Sequence, residues 1–261
     1  MKPSNLEAIQ RSFEKQAVNF ESKAVNFSKE EYLDYTLSCV QPDKSDALLE
    51  VAAGTCVCGR SFAPFVQKVV CLDATVPMLQ IGKTEAKRCH LDNIVFIKGY
   101  AEELPFLDED FDIVFSRLAF HHFPDINNAF SEMTRVLKPG GKLVMIDMEA
   151  PAEPLRHTRD EIETLRDPSH IKNLSSSEMK DLFNIHGLTL ETCTTTEMTQ
   201  RLENWLALTQ TPESIKTEIR ERMEAELKGQ AKTGFFPYRQ ENEIFFNQKW
   251  ILNIGRKNPV G

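Results

Sequence analysis

Leu48-Leu-Glu-Val-Ala-Ala-Gly-Thr55 closes a short apolar run with three small residues, and its reading decides the fold. A strand that ends in Ala52, Ala53 and Gly54 lets a ligand come close to the backbone, where a larger side chain would collide with it. Asp73 ends the next apolar run, 19 residues after Gly54. That is near the roughly 20-residue spacing at which an acid hydrogen-bonds a ribose hydroxyl in nucleotide-type α/β sites. A glycine turn alone is weak evidence. The turn, the acid and the strand order together point to an open parallel sheet whose ligand sits beyond the carboxyl ends of the strands, at the switch point.

Outward from this turn, short apolar runs alternate with longer amphipathic stretches, the pattern of β-α-β units. The runs are Ala47–Ala52, Lys68–Leu72, Ile94–Lys98, Phe111–Ser116 and Lys142–Asp147. Between the fourth and fifth, Asn127–Leu137 is apolar at helical spacing and is stopped by Lys138-Pro-Gly-Gly141, which turns the chain into the next strand. A charged stretch with three prolines, Glu149–Leu174, has no clear element. A helix is predicted from the cap Ser175-Ser-Ser-Glu178 to His186-Gly187, then a Thr-rich strand over Leu188–Met198. Helices at about 200–209 and 212–228 precede a last strand, Ile244–Gly255, for seven strands in all. Ahead of the sheet, residues 6 to about 39 read as helical, with Phe13, Phe20 and Phe27 every seven positions and Ala-Val-Asn-Phe at 17–20 and 24–27. Those aromatics form either a core-facing stripe or a lid.

The motifs resemble those of class I S-adenosylmethionine-dependent methyltransferases, in particular the ubiquinone/menaquinone-biosynthesis branch (methyltransferase type 11), over about residues 13–147. Glu50-Val-Ala-Ala-Gly-Thr-Cys56 stands where that family has acid-x-Gly-x-Gly-x-Gly, with Ala52 and Cys56 in place of glycines. Cys-Leu-Asp73-Ala74-Thr-Val-Pro-Met78 is similar to the second motif, and Gly99-Tyr-Ala101-Glu102-Glu-Leu-Pro-Phe106 to the third, with Tyr100 replacing the usual Asp or Asn. A phenol places its one hydrogen bond differently from either. Asp110-Phe-Asp-Ile-Val-Phe-Ser116-Arg-Leu118-Ala-Phe-His121-His122 and Arg135-Val-Leu-Lys-Pro-Gly-Gly141 match the motifs around the fourth and fifth strands.

The resemblance implies a Rossmann-like sheet of seven strands, mostly parallel, in the order 3-2-1-4-5-7-6 with strand 7 antiparallel, flanked by helices and a helical cap. It implies a lid over residues 1–40, a core over 41–198 and 243–257, and an insertion over 199–242 that contributes to the acceptor pocket. Its implied cofactor contacts are Phe20, Glu50, Ala52, Gly54, Asp73, Ala74, Met78, Tyr100, Ala101, Glu102, Ser116, Leu118 and His121. Asp73 would hold the ribose, Met78 the adenine and Glu50 the methionine amino group. Each has an ordinary alternative, such as a turn-forming Asp or a strand-end acid with a structural partner. Cys56-x-Cys58 can suit a soft metal, yet no further Cys or His pair stands at zinc-like spacing, so no metal is expected. Replacement of a glycine and simple packing is one reading of these thiols; a redox-sensitive loop is the other.

Composition bounds the rest. The 261 residues, 41% hydrophobic and 27% charged, are those of an ordinary globular chain. Apolar runs stay at strand length and the N-terminus lacks a signal-peptide core, so a cytoplasmic protein without membrane insertion is expected. A net charge of −8 disfavours nucleic acid as partner. Six scattered cysteines suit reduced thiols.

The expected reaction is in-line methyl transfer to a small apolar or aromatic acceptor, releasing S-adenosylhomocysteine from a monomer or homodimer. A base is needed only when the acceptor must lose a proton. His121 or His122 is the first candidate, with Asp147 or Glu149 behind. Phe13, Phe20, Phe27, Tyr32, Trp205, Phe235, Phe236 and Tyr238 are candidate pocket aromatics and equally candidate core. Two other readings compete: a regulatory protein that keeps the fold without turnover, and a nicotinamide-dinucleotide oxidoreductase. The latter fits poorly, because Ala52 and Cys56 narrow a turn that would have to seat a pyrophosphate.

Overall fold

The computed structural model describes residues 6–20 and 30–259. Two helices, α1 (Leu6–Phe20) and α2 (Glu30–Val40), precede the sheet. The β-α alternation follows: β1 (Ala47–Val51), α3 (Val57–Phe62), β2 (Lys68–Asp73), α4 (Val76–Arg88), β3 (Ile94–Lys98), β4 (Phe111–Arg117), α5 (Ile126–Val136) and β5 (Leu137–Met148). β1 to β5 pair in parallel. Leu48, Leu49 and Val51 of β1 are fully buried, which forces helices onto both faces of the sheet. One apolar core, with Phe120, Phe130 and Met133, fills one face; a second, with Phe62, Phe115 and Trp250, fills the other.

After β5 come α6 (Leu155–Arg166), α7 (Ser176–Ile185), β6 (Leu188–Arg201), α8 (Leu202–Leu208), α9 (Glu213–Leu227), β7 (Tyr238–Gln240) and β8 (Glu243–Lys257). The sheet runs β3-β2-β1-β4-β5-β8-β6, with β8 antiparallel to both neighbours. This is the predicted order, because β8 is the seventh strand of the sequence reading. The count is eight: β7 is a three-residue hairpin partner of β8, too short to register as an apolar run. α7 starts at the expected Ser175 cap, which the structure extends to a capping box: Ser175 accepts from the Glu178 amide and Glu178 accepts from the Ser175 amide.

Two expectations need correction. Lys138-Pro-Gly-Gly141 ends α5 but makes no separate turn. Strand pairing begins at Leu137, Gly140 takes left-handed backbone at φ +78°, and the segment is an irregularity inside β5, where the pairing jumps from Phe111–Leu137 to Ile113–Lys142. The stretch 149–174 contains a helix, α6. Its inner face buries Arg159 and Glu163 beside Ile162, so a charged pattern hid a buried face. α6, α8, α9 and β8 share a third core around Trp205, Phe235 and Phe246.

Candidate active site

The carboxyl ends of β1, β2, β4 and β5 open into one cleft, roofed by α1 and walled by α8. Its floor is the 52–56 turn. Ala52, Gly54 and Cys56 all take left-handed backbone, at φ +54°, +54° and +59°. The glycine-type conformation is thus kept at all three alternate positions with glycine at only one, and each non-glycine residue there costs roughly 1–2 kcal/mol. Asp73 holds the turn: one carboxylate oxygen accepts from the Gly54 amide and the other from the Thr75 amide, both at 2.7 Å. Each oxygen keeps a second lone pair, and Asp73 borders the cleft.

Glu50 is buried at the end of β1, and one carboxylate oxygen accepts from the Gly59 amide at 2.8 Å. A Cβ on Gly59 would stand 2.7 Å from that oxygen, so only glycine allows the approach. Burial pushes the Glu50 carboxyl up to about 7, against the opposing pull of the Gly59 amide and the charge of Arg117. Two further polar atoms at the cleft, Thr55 Oγ1 and Glu102 Oε1, are buried with no hydrogen-bond partner among the described residues. A ligand with ribose, amino and adenine groups fits these unmet needs. Burial likewise pushes the thiols of Cys56 and Cys58 up, that of Cys58 to about 12, which opposes thiolate formation at both. No set of three or more His, Cys, Asp or Glu side chains that could hold a metal ion occurs among the described residues.

Beyond the turn, His121 and His122 both line the cleft, and their rings lie 4.1 Å apart at a tilt of 48°, in opposite environments. His121 Nδ1 lies 2.7 Å from Asp147, whose carboxylate also accepts from the Met148 amide. Burial works to lower the His121 pKa, but the charge and hydrogen bond of Asp147 outweigh it and the net shift is upward. At His122 the charge of Asp167 pulls the same way but is outweighed. Burial, then the charge of His121, drive its pKa down to about 3. Its Nδ1 is 3.1 Å from Ser169 Oγ, and that hydroxyl donates to Asp167 at 2.6 Å. The network therefore assigns the proton to Nδ1 and leaves Nε2 as the acceptor nitrogen. Asp167 also accepts from Ser12 and Gln16 of α1, which ties the roof to the wall.

The methyltransferase-domain family model matches residues 49–145. The uncharacterized protein YafE of Escherichia coli (strain K12) is 38% identical over 156 residues, 59% of this chain and 75% of that protein. The uncharacterized methyltransferase YcgJ of Bacillus subtilis (strain 168) is 31% identical over 194 residues, 74% of this chain and 77% of that protein.

The chain belongs to the methyltransferase family.

The crystal structure of YcgJ superposes with a TM-score of 0.80 at 28% identity, over 89% of this chain and all of that one. A demethylmenaquinone methyltransferase of Listeria welshimeri is 31% identical over 154 residues, 57% of this chain and 65% of that protein. As a class I methyltransferase, the protein uses S-adenosylmethionine. Against that identity, Glu50, Ala52, Gly54, Asp73, Ala74, Met78, Tyr100, Ala101, Glu102, Leu118 and His121 all border the methyltransferase cleft. Ser116 does not: it is fully buried beneath the floor. The Phe20 side chain and Phe27 lie outside the described residues.

Of the candidate pocket aromatics, Phe13 and Trp205 line the cleft. Tyr32 packs edge-on against Trp250 at 5.2 Å, Phe235 belongs to the third core, and Phe236 and Tyr238 are exposed. Sequence reasoning passed over the methyltransferase's Arg117, Gln16, Asp167, Asn204, Gln200 and Gln248, all of which line the cleft. For Arg117 a signal existed, a lone cation directly after an apolar strand. For the others there was none, since their elements come together only in the fold.

Proposed function

We propose that the cleft binds S-adenosylmethionine across the 52–56 turn and methylates a small acceptor, from which His121 takes a proton. Asp73 receives the ribose hydroxyls on its two remaining lone pairs, Glu50 receives the methionine amino group, and Met78, Tyr100, Ala101 and Glu102 surround the adenine. The cofactor supplies the activated methyl on its sulfonium. The protein's task is to align, desolvate and deprotonate. His121 is the base and His122 is not. A base must hold a proton: the Asp147 carboxylate carries the net shift of His121 upward, whereas at His122 burial and the His121 charge outweigh the opposing pull of Asp167. Neutral His122 instead presents an acceptor to the substrate's hydrogen-bond donor.

The acceptor sits among Phe13, Trp205, Trp250 and Met148, with Gln200, Asn204 and Gln248 as polar anchors. That lining suits a flat, largely apolar molecule with a hydroxyl or acidic carbon as nucleophile. Residues 1–40 act as the lid and 199–242 as the acceptor-side insertion. Support comes from the bonds of Ser12 and Gln16 to Asp167, from Gln10 to the Ala74 carbonyl, and from the α8 residues in the wall. No helix among the described residues is long and apolar enough to cross a membrane; a cytoplasmic location, with the chain working as monomer or homodimer, completes the reading.

The observation that carries the reading is the convergence of the Asp73-held turn and the His121–Asp147 pair on a single cleft. The test is calorimetry with S-adenosylhomocysteine, followed by a screen of phenols, quinols and acidic-carbon acids for product release. Binding with turnover on one of these classes, and none on amines, is the expected outcome. Turnover on amines alone would overturn the base.

A further inference from the structure

We propose that Arg117 grips the carboxylate at the methionine end of the cofactor, so that Glu50 and Arg117 together read the amino acid as a zwitterion. The inference rests on the S-adenosylmethionine reading of the cleft. That cofactor has one anionic group, and a buried carboxylate without a cationic or amide partner is costly. Among the described residues that line the cleft, the arginines are Arg117 and Arg166. Arg166 stands at the acceptor end, stacked 4.2 Å over Trp205, donating to the Trp205 carbonyl and paired with buried Glu163. Its charge is already answered there.

Arg117 stands where the methionine must lie. It ends β4, the strand next to β1, and Glu50 pairs in register with Phe115, two residues before it. Its guanidinium is 6.0 Å from the Tyr32 ring centroid, and its charge acts on Glu50, Tyr32 and Cys58, the groups around the start of α3. Glu50 and Arg117 therefore present one negative and one positive group from adjacent strand ends, the complement of an α-amino acid. An arginine fork can take a carboxylate with two parallel bonds, which Lys cannot reproduce.

The test is calorimetric titration of wild type, Arg117→Gln and Arg117→Lys with S-adenosylhomocysteine and with its decarboxylated analogue, which keeps the amine and loses the carboxylate. Wild type is expected to favour S-adenosylhomocysteine by about 10- to 100-fold. Arg117→Gln is expected to erase that preference by weakening S-adenosylhomocysteine alone, with Arg117→Lys between. Equal losses for both ligands would reduce Arg117 to a structural role, and an unchanged preference in the Gln variant would also overturn the proposal. If Arg117→Gln does not fold, the wild-type preference and the Lys variant decide: a wild type that binds both ligands alike sinks the anchor. Failure of wild type to bind S-adenosylhomocysteine at all would instead sink the cofactor reading beneath it.

Discussion

On the proposed reading the cleft has a cofactor half and an acceptor half, and the two are built on different plans. The cofactor half is backbone held by nearby acids: the 52–56 turn, pinned by Asp73 through the Gly54 and Thr75 amides, and α3, pinned by Glu50 through Gly59. The acceptor half is side chains held by distant ones, with Ser12 and Gln16 of α1 on Asp167 and Ser169 beneath His122. A backbone site binds what every member of a family shares, whereas a side-chain site is free to change with the acceptor. The two halves should therefore fail differently when cut.

The largest effect is expected on the acceptor side. His121→Ala should lower kcat by about 10²- to 10⁴-fold, the usual worth of a positioned base, while leaving S-adenosylhomocysteine affinity within about threefold. Because Asp147 raises the His121 pKa, and only the unprotonated ring can accept a proton, the rate should climb with pH to a midpoint above the ordinary histidine value. A full rate in the variant would remove histidine from the chemistry, and a collapse of S-adenosylhomocysteine binding would erase the division between the halves. Next in size is Asp73→Ala, which removes the proposed ribose contact and frees two turn amides. S-adenosylhomocysteine affinity should fall about 30- to 300-fold by calorimetry, in keeping with two or three lost charge-assisted bonds. A loss below threefold would mean that Asp73 serves the turn only.

A third expectation concerns Glu50. Its carboxyl is pushed up to about 7 by burial, so it is neutral in acid and ionised above neutrality. A cationic amino group binds the ionised form, and affinity should therefore rise with pH, by about tenfold between about pH 6 and about pH 8, and level off beyond. Glu50→Gln should flatten that dependence. A wild-type affinity that is flat over the same range would show that the amino group is held elsewhere.

The same contrast explains what was legible before the fold was known. β1 to β5 and the Asp73 turn are local: apolar runs, small residues and an acid at fixed spacing, each read within one β-α-β unit. His121 and His122 were legible as candidates, but not which of them to propose as the base. That choice depends on Asp147 at the end of β5 and on Ser169 and Asp167 after α6, and neither relation has a sequence spacing of its own. α6 escaped notice because Arg159, Glu163 and Arg166 give its stretch a charged pattern, yet they point inward to Phe235, Trp205 and one another. Ser116 misled in the opposite sense. It stands in a matching motif, yet strand alternation turns it beneath the floor while Arg117 faces the cleft.

The smallest expected effect tests whether the cofactor turn is a strained copy of a glycine loop. Ala52 and Cys56 both occupy left-handed backbone, but their side chains differ in what they contribute. Ala52 is half-buried at the cleft, so Ala52→Gly removes a left-handed cost of roughly 1–2 kcal/mol and adds unfolded-chain entropy of about 0.4–1 kcal/mol. The balance is a gain of about 0.5–1 kcal/mol, or about 2 °C in Tm for a chain of this size. Cys56 is fully buried and borders Gly82 of α4, so Cys56→Gly gives up a packed side chain worth about as much as the relief, and its stability should stay level or fall. Denaturant melts of the two single variants separate the cases. Stabilisation by Ala52→Gly alone fits a turn whose shape is set by Asp73 and whose thiol, Cys56, is a packing residue; destabilisation by Ala52→Gly would mean that the left-handed conformation at 52 carries no strain for glycine to relieve.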